Sequence, residues 1–280
     1  MSKRPRVPGP IVRTQNLGNT SERTEPGVTP WTTVDVNDGS WTKYDPNNGI
    51  VSVATSTGGM RIVWDSAESA HRFTNSTFQA GRWHKKLKHP DGHDLTWSEF
   101  FNVEILTQLQ SMNANTPDDD KSGISFGIAG VDITNSTTNE WIGAAHYFIG
   151  SGDERLKTFC GGSDGWSSNA SNETVGAFVR IAPPIDDDDG GDVNPRTLRV
   201  SATCLDSNRD VVASDGIVAA SNRTHEWTAT DNVYLFLSPN WSTTNTGVDD
   251  ADSTWKIWYR VTVARDGLNP TYVPGGGDSV

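Results

Sequence analysis

Cysteine is nearly absent. Cys160 and Cys204 are the only two in 280 residues, so no disulfide framework can define the fold. They could pair if adjacent strands brought them together, but two buried free thiols are the expectation, because nothing else signals an oxidising compartment. Methionine is scarce too, with 3 against 11 tryptophans, so the core and any binding surface lean on aromatic rings rather than adaptable thioethers. No apolar run reaches the length of a membrane span, and MSKRPRVPGP has charge without the apolar centre of a secretory signal. Cations are outnumbered, 23 Lys and Arg against 35 Asp and Glu. The net charge of −12 argues against a body that binds nucleic acid, whose phosphates it would repel. Sustained helical stripes with a cap at each end are also missing, as are internal repeats.

What the chain does hold is short alternating segments. The strongest is TWKIWYRVTV, residues 254–263, where Trp255, Ile257, Tyr259, Val261 and Val263 fall on one side. Lys256, Trp258, Arg260 and Thr262 fall on the other, and a tryptophan among them implies that this side is covered as well. FFNVEILTQL, residues 100–109, is a second strong segment, with a helix as its rival. Further strands are predicted over 49–54, 60–64, 124–129, 141–149, 156–160, 176–181, 197–205 and 232–237, each bounded by Gly, Asn, Asp, Ser or Pro. Residues 68–98 mix strand and loop. Hydrophobic content is only 34%, which suits many short strands joined by polar turns in one all-β sandwich or jelly roll.

Residues 1–30 are different in kind. They carry Pro5, Pro8, Pro10, Pro26 and Pro30, and Lys3, Arg4, Arg6, Arg13 and Arg23 against only Glu22 and Glu25. Such a segment is extended rather than packed. A basic arm on an acidic body is expected to dock, with Lys3, Arg4, Arg6, Pro8, Pro10 and Arg13 lying along an acidic partner surface. Residues 31–265 then form the sandwich and 266–280 a Gly-rich tail.

Several clusters invite chemistry. Trp31, Trp41, Trp166 and Trp241 lie in turn-rich sequence and read as loop-borne rings, of which Trp166 and Trp241 suit stacking on a sugar face. The alternative is that they cap the ends of the sandwich or fill subunit contacts. Acidic runs occur at Asp118–Asp120, at Asp186–Asp189 and at Asp249, Asp250 and Asp252. The last abuts the strongest strand and is the best candidate for a glycan or calcium site, against the plainer expectation of a solvated loop. RWHKKLKHPDGHD gathers His84, His89 and His93 with Asp91 and Asp94, but the spacing matches no established zinc pattern, and Lys85, Lys86 and Lys88 would repel a cation. A polar loop on the Pro-Asp-Gly turn is expected there, without a metal.

The runs SGISFGIAG, WIGAAHYFIG, RTLRVSATCL, NVYLFLSPNW and TWKIWYRVTV together resemble the strands of concanavalin-A-like (lectin/LamG-type) jelly rolls. With the basic arm and the GSWTKYDPNNG opening, the chain is similar in style to structural proteins of marine tailed phages. The resemblance implies an all-β, concanavalin-A-like jelly-roll β-sandwich with an extended N-terminal arm. It also implies a virion structural protein, a capsid decoration, head fibre or tail-associated part. Such a protein docks on a major capsid or tail protein and forms a homo-oligomer. A carbohydrate-binding adhesin for a host surface glycan is the alternative, using Trp166, Trp241, Asp249, Asp250 and Asp252. Hydrolases of this sandwich carry E-x-D-x-x-E. Here the nearest stretch, EFFNVE, lacks the Asp and places Glu99 and Glu104 an odd five residues apart. HYFIGSG at His146 has some of the look of the lyase strands, but their other motifs are missing. The expectation is therefore a non-enzymatic protein with no cofactor beyond calcium at an acidic loop.

Overall fold

A strand with one apolar face is stable only when neighbours pair its backbone and another layer covers that face. A computed structural model of the chain describes residues 27–45, 50–64, 73–74, 77–78, 81–113, 121–129, 141–149, 153–160, 163–170, 176–182, 197–209, 217–219, 223–224, 230–242 and 251–263. The arm before Gly27, the tail after Val263 and the acidic runs at 118–120 and 186–189 lie outside the described residues.

The chain runs through β1 (Thr32–Thr33), β2 (Thr42–Tyr44), β3 (Ile50–Ser56), β4 (Gly59–Trp64), β5 (Phe73–Thr74), β6 (Thr77–Phe78), β7 (Arg82–Lys86), β8 (Phe100–Asn113) and β9 (Lys121–Ala129). It continues through β10 (Trp141–Ile149), β11 (Asp153–Cys160), β12 (Ser163–Ala170), β13 (Gly176–Ala182), β14 (Thr197–Leu205), β15 (Ile217–Ala219), β16 (Arg223–Thr224), β17 (Tyr234–Ser242) and β18 (Ala251–Val263). No helix occurs among the described residues. One sheet runs β15-β14-β13-β8-β18-β4-β3, with β1 added to β18 and β16 to β14; the other runs β12-β11-β10-β9-β17-β7-β2. All their pairings are antiparallel. Two antiparallel sheets enclosing one core make the jelly-roll sandwich that the alternation implies.

The strand that the sequence marks as strongest sits in the middle. β18 pairs with β8 from Asp252 to Val263 and, over Ala251–Trp255, with β4 on its other side. Beyond Trp255 that side is taken by the chain's own beginning. Val34 donates to the Ile257 carbonyl at 2.8 Å, Thr29 to Val261 at 2.8 Å, and Val263 donates to Gly27 at 2.7 Å. Val28 bridges Thr262, so the sandwich takes in residues that composition alone assigned to the arm.

Register explains the core. Val261, Val103, Ile181 and Val200 form one row across β18, β8, β13 and β14, and Ile257, Thr107, Ala177 and Cys204 form another; all eight are buried. Opposite them stand Ile124, Phe126 and Ile128 of β9, Leu235 and Leu237 of β17, and Ile142 and Ala144 of β10. The two cysteines therefore belong to different sheets, Cys160 on β11 and Cys204 on β14. The far face of β18 is covered as expected. Trp258 carries the Arg209 guanidinium 5.0 Å from its ring centre, and Arg260 bonds Glu104 while lying 4.8 Å from the ring of Trp31.

Residues 100–109 are strand and not helix, because β8 is paired along both edges, to β13 and to β18. The 232–237 strand runs on to Ser242. Among the described residues β17 pairs from Ser238 onward with β9 alone, so Pro239, which has no N–H, costs no ladder bond on the other side. Between β9 and β10 the backbones come unusually near. A Cβ on Gly127 would lie 2.1 Å from the Ile142 carbonyl oxygen, and one on Gly143 would lie 2.1 Å from that of Phe126.

His146 of β10 is fully buried, with its ring edge-on to Trp255 across the sandwich at 5.3 Å. Burial pushes its pKa down to about 3, so it is a neutral core side chain and cannot meet a polysaccharide. An unfolded chain takes up a proton at this position below about pH 6.5 while the folded one does not, so falling pH costs stability from there down to about pH 3. His146→Leu is expected to flatten the fall in Tm between pH 6.5 and 4.5, whatever its Tm at pH 7. Thermal melts of both proteins across that range check this, and parallel curves would refute it.

Candidate functional site

A short strand flanked by two others exposes alternate side chains on opposite faces, and β7 uses both. Trp83 is buried toward the core, and Lys85 follows it on the same side. His84 and Lys86 point the other way, beside Tyr234, which stands opposite Lys86 on β17. Chain direction therefore brings two lysines, a histidine and a tyrosine around one rim of the seven-stranded sheet. There a cleft of about 530 Å³ opens, lined also by Ser40, Thr42, Lys88, Asp94 and Tyr259.

Its lining carries three lysines against one carboxylate, Asp94. Lys85 lies 4.9 Å from the ring centre of Trp41 and 5.1 Å from that of Tyr259, with Ser40 Oγ 3.4 Å from its Nζ. The aromatic faces attract the ammonium, and the Asp38 carboxylate acts on it as well. Lys86 donates to Asp94 Oδ2 at 2.9 Å and Lys88 donates to Oδ1 of the same carboxylate. Hydrogen bonds from Lys88 and Lys86 hold the Asp94 carboxyl below its ordinary value, and the same contact raises Lys86. Two ammonium groups thus share one carboxylate, and His84 meets the Tyr234 ring edge at 6.0 Å. A carboxylate held ionised by two lysines is a poor proton donor.

The residues chosen from sequence for glycan contact do not gather in this cleft. Trp166 and Trp241 lie within strands β12 and β17 rather than on loops, which corrects that expectation. The polar composition of SDGWSSNA hid β12, an edge strand whose one partner is β11 and whose register breaks where Trp166 falls, opposite the Lys157–Phe159 step. Asp252 belongs to β18 of the other sheet, paired with Val63 and Asn113, so the strand begins inside the supposed acidic loop. Asp249 and Asp250, like Lys3, Arg4, Arg6, Pro8, Pro10 and Arg13 of the arm, lie outside the described residues. The histidine cluster divides. His84 enters the cleft, whereas His89 and His93 stack on one another and join Glu99, the only such group of three metal-binding side chains among the described residues. Sequence reading missed Lys85, Tyr234 and Tyr259 as one site because they come from three strands in two sheets.

No family model matches the chain, and comparison with the curated proteins finds no match. Solved structures similar to it include a winged bean acidic lectin complexed with methyl-alpha-D-galactose, at 12% identity over 85% of this chain and 100% of that one, TM-score 0.41. An alginate lyase from Pseudomonas aeruginosa is similar at 13% identity over 72% and 82%, TM-score 0.40, and a Bacillus licheniformis beta-glucanase at 13% over 86% and 94%, TM-score 0.35. Likeness at this level assigns neither substrate nor activity.

Asp94 adds stability above the carboxylate range, and that contribution is lost as pH falls through its depressed value. Asp94→Asn should therefore melt below the wild type at pH 7, with the gap closing by pH 3; paired melts measure it, and a gap that persists at pH 3 would contradict the assignment.

Proposed function

We propose that this jelly roll is a non-enzymatic carbohydrate-binding protein that takes an acidic glycan, a uronate or sulfate chain, in the cleft around β7. The observation that carries the proposal is the convergence of Lys85, Lys86 and Lys88 with Tyr234, Tyr259 and Trp41 on a chain of net charge −12. Ammonium groups supply attraction and charge-assisted hydrogen bonds to carboxylate or sulfate. The rings supply flat apolar faces for the sugar, and the overall negative charge discourages indiscriminate capture of polyanions.

Binding to polygalacturonate should weaken as NaCl screens the lysines. Lys85→Ala and Lys88→Ala should each cost about tenfold in affinity, the loss expected for one charged hydrogen bond. Asp94→Asn, which frees Lys86 and Lys88, should strengthen binding, while a neutral glucan should show little affinity in any variant. Affinity electrophoresis on both polymers reads all of this. Wild-type retention in both lysine variants would remove the cleft, and loss in Trp166→Ala or Trp241→Ala instead would move the site to those strands. Release of new reducing ends during incubation would overturn the non-enzymatic assignment.

A structural role on a virus particle is the second reading, supported by the basic, proline-rich segment that leads into Gly27, itself bonded to Val263 of β18. Deleting residues 1–26 should leave folding and glycan retention intact and abolish particle association. Unimpaired incorporation of the truncated chain would rule the arm out as an anchor.

A further inference from the structure

The hairpin beyond β7 holds a second cluster that the cleft does not use. Lys88 and Asp94 form a bridge, the His89 amide donates to the His93 carbonyl at 2.9 Å, and the Gly92 amide donates to the His89 carbonyl at 2.8 Å. Gly92 takes a φ of +96° to close the Pro90-Asp91-Gly92 turn. In such a ribbon the last cross-strand pair is brought face to face, and the two imidazoles stack with centres 4.4 Å apart.

The next turn supplies a third group. Glu99 Oε2 accepts from the Thr96 amide at 3.0 Å and the Thr96 hydroxyl at 2.8 Å, while the Glu99 amide donates to the Thr96 carbonyl at 3.1 Å and closes the turn. That fixes the carboxylate and leaves Oε1 aimed at His93 Nε2, 2.9 Å away. One nitrogen from each imidazole and one carboxylate oxygen all lie within 4.8 Å of one another. A zinc-type ion bonded at about 2.0–2.2 Å needs its donors within roughly 4.2 Å, so a modest swing of one ring completes the set. His93 is half exposed, and the swing trades its stack on His89 for the metal bond.

We propose that His89, His93 and Glu99 bind a divalent transition-metal ion of the zinc class, with the remaining position open to water or an outside donor. Two imidazoles and a carboxylate suit zinc, nickel or copper rather than calcium or magnesium, which want oxygen. The lysines that argue against a cation in the sequence face elsewhere. Lys86 and Lys88 are bound to Asp94, and alternation along the ribbon sets the Lys88–Asp94 pair and the His89–His93 pair on opposite faces. His89 Nδ1 accepts from the Asp91 amide at 3.2 Å, with Asp91 Oδ2 3.4 Å away, so the ring shifts its proton from Nε2 to Nδ1 when Nε2 takes the metal. The ion would tie the hairpin to the Thr96–Glu99 turn without passing through the cleft.

Calorimetric titration of ZnCl2 into the untagged full chain should show one saturable site, and ZnCl2 should raise the Tm. Changing a partner of a metal ligand already costs about 10–100-fold. His93→Gln and Glu99→Gln should therefore each weaken zinc at least about tenfold and abolish the Tm rise, with metal-free Tm values near wild type. The absence of saturable binding up to about 1 mM, or unchanged zinc affinity in both variants, would overturn the proposal. Polygalacturonate binding measured with a chelator present is independent of this site and separates its failure from that of the cleft.

Discussion

β18 needs a partner on each edge for its full length, and the rest of the sandwich is arranged to meet that need. β8 serves one edge throughout, while β4 serves the other only as far as Trp255. The remainder is completed by residues 27–34, drawn from the opposite end of the chain. Closing this strand therefore requires contacts spanning more than two hundred positions, as in Val28 with Thr262. Such closure is slow to find and highly cooperative once made. It also fixes where Trp31 and Trp41 go, since the same segment carries both past the strand.

That placement links architecture to the site. Trp31 comes to rest over Arg260 on the outer face, and Trp41 over Lys85 at the rim. Tyr259, in the core row of β18, reaches the same lysine from the other sheet. The cleft thus exists only because the chain's beginning, β7 and β18 meet at one corner. Its lysines gather on a protein whose net charge is negative.

Period-two alternation made much of this fold legible. β10 and β14 have the bounds expected from WIGAAHYFI and TLRVSATCL, because both are interior strands with one apolar face. Alternation was silent for β12, a polar edge strand, and for β7, where Arg82 and His84 are buried beside Trp83. Pro239 looked like an end and is not, since only pairing shows that its missing N–H is harmless. Sites were harder to see for the same reason. Trp166 and Trp241 were singled out by local turn chemistry, which says nothing about the strand they belong to. The Lys85, Tyr234 and Tyr259 grouping depends on cross-strand register, and Glu99 joins His89 and His93 only through the fold of two successive turns.

We propose above that the β7 rim holds an acidic sugar chain. An NMR titration of the isotope-labelled protein with a galacturonate tetrasaccharide tests it most directly. Saturable shifts centred on Lys85, Lys88, Tyr234, Tyr259 and the Trp41 indole are the predicted result. Shifts centred on Trp166 or Trp241, or no saturable shifts at all, would contradict it.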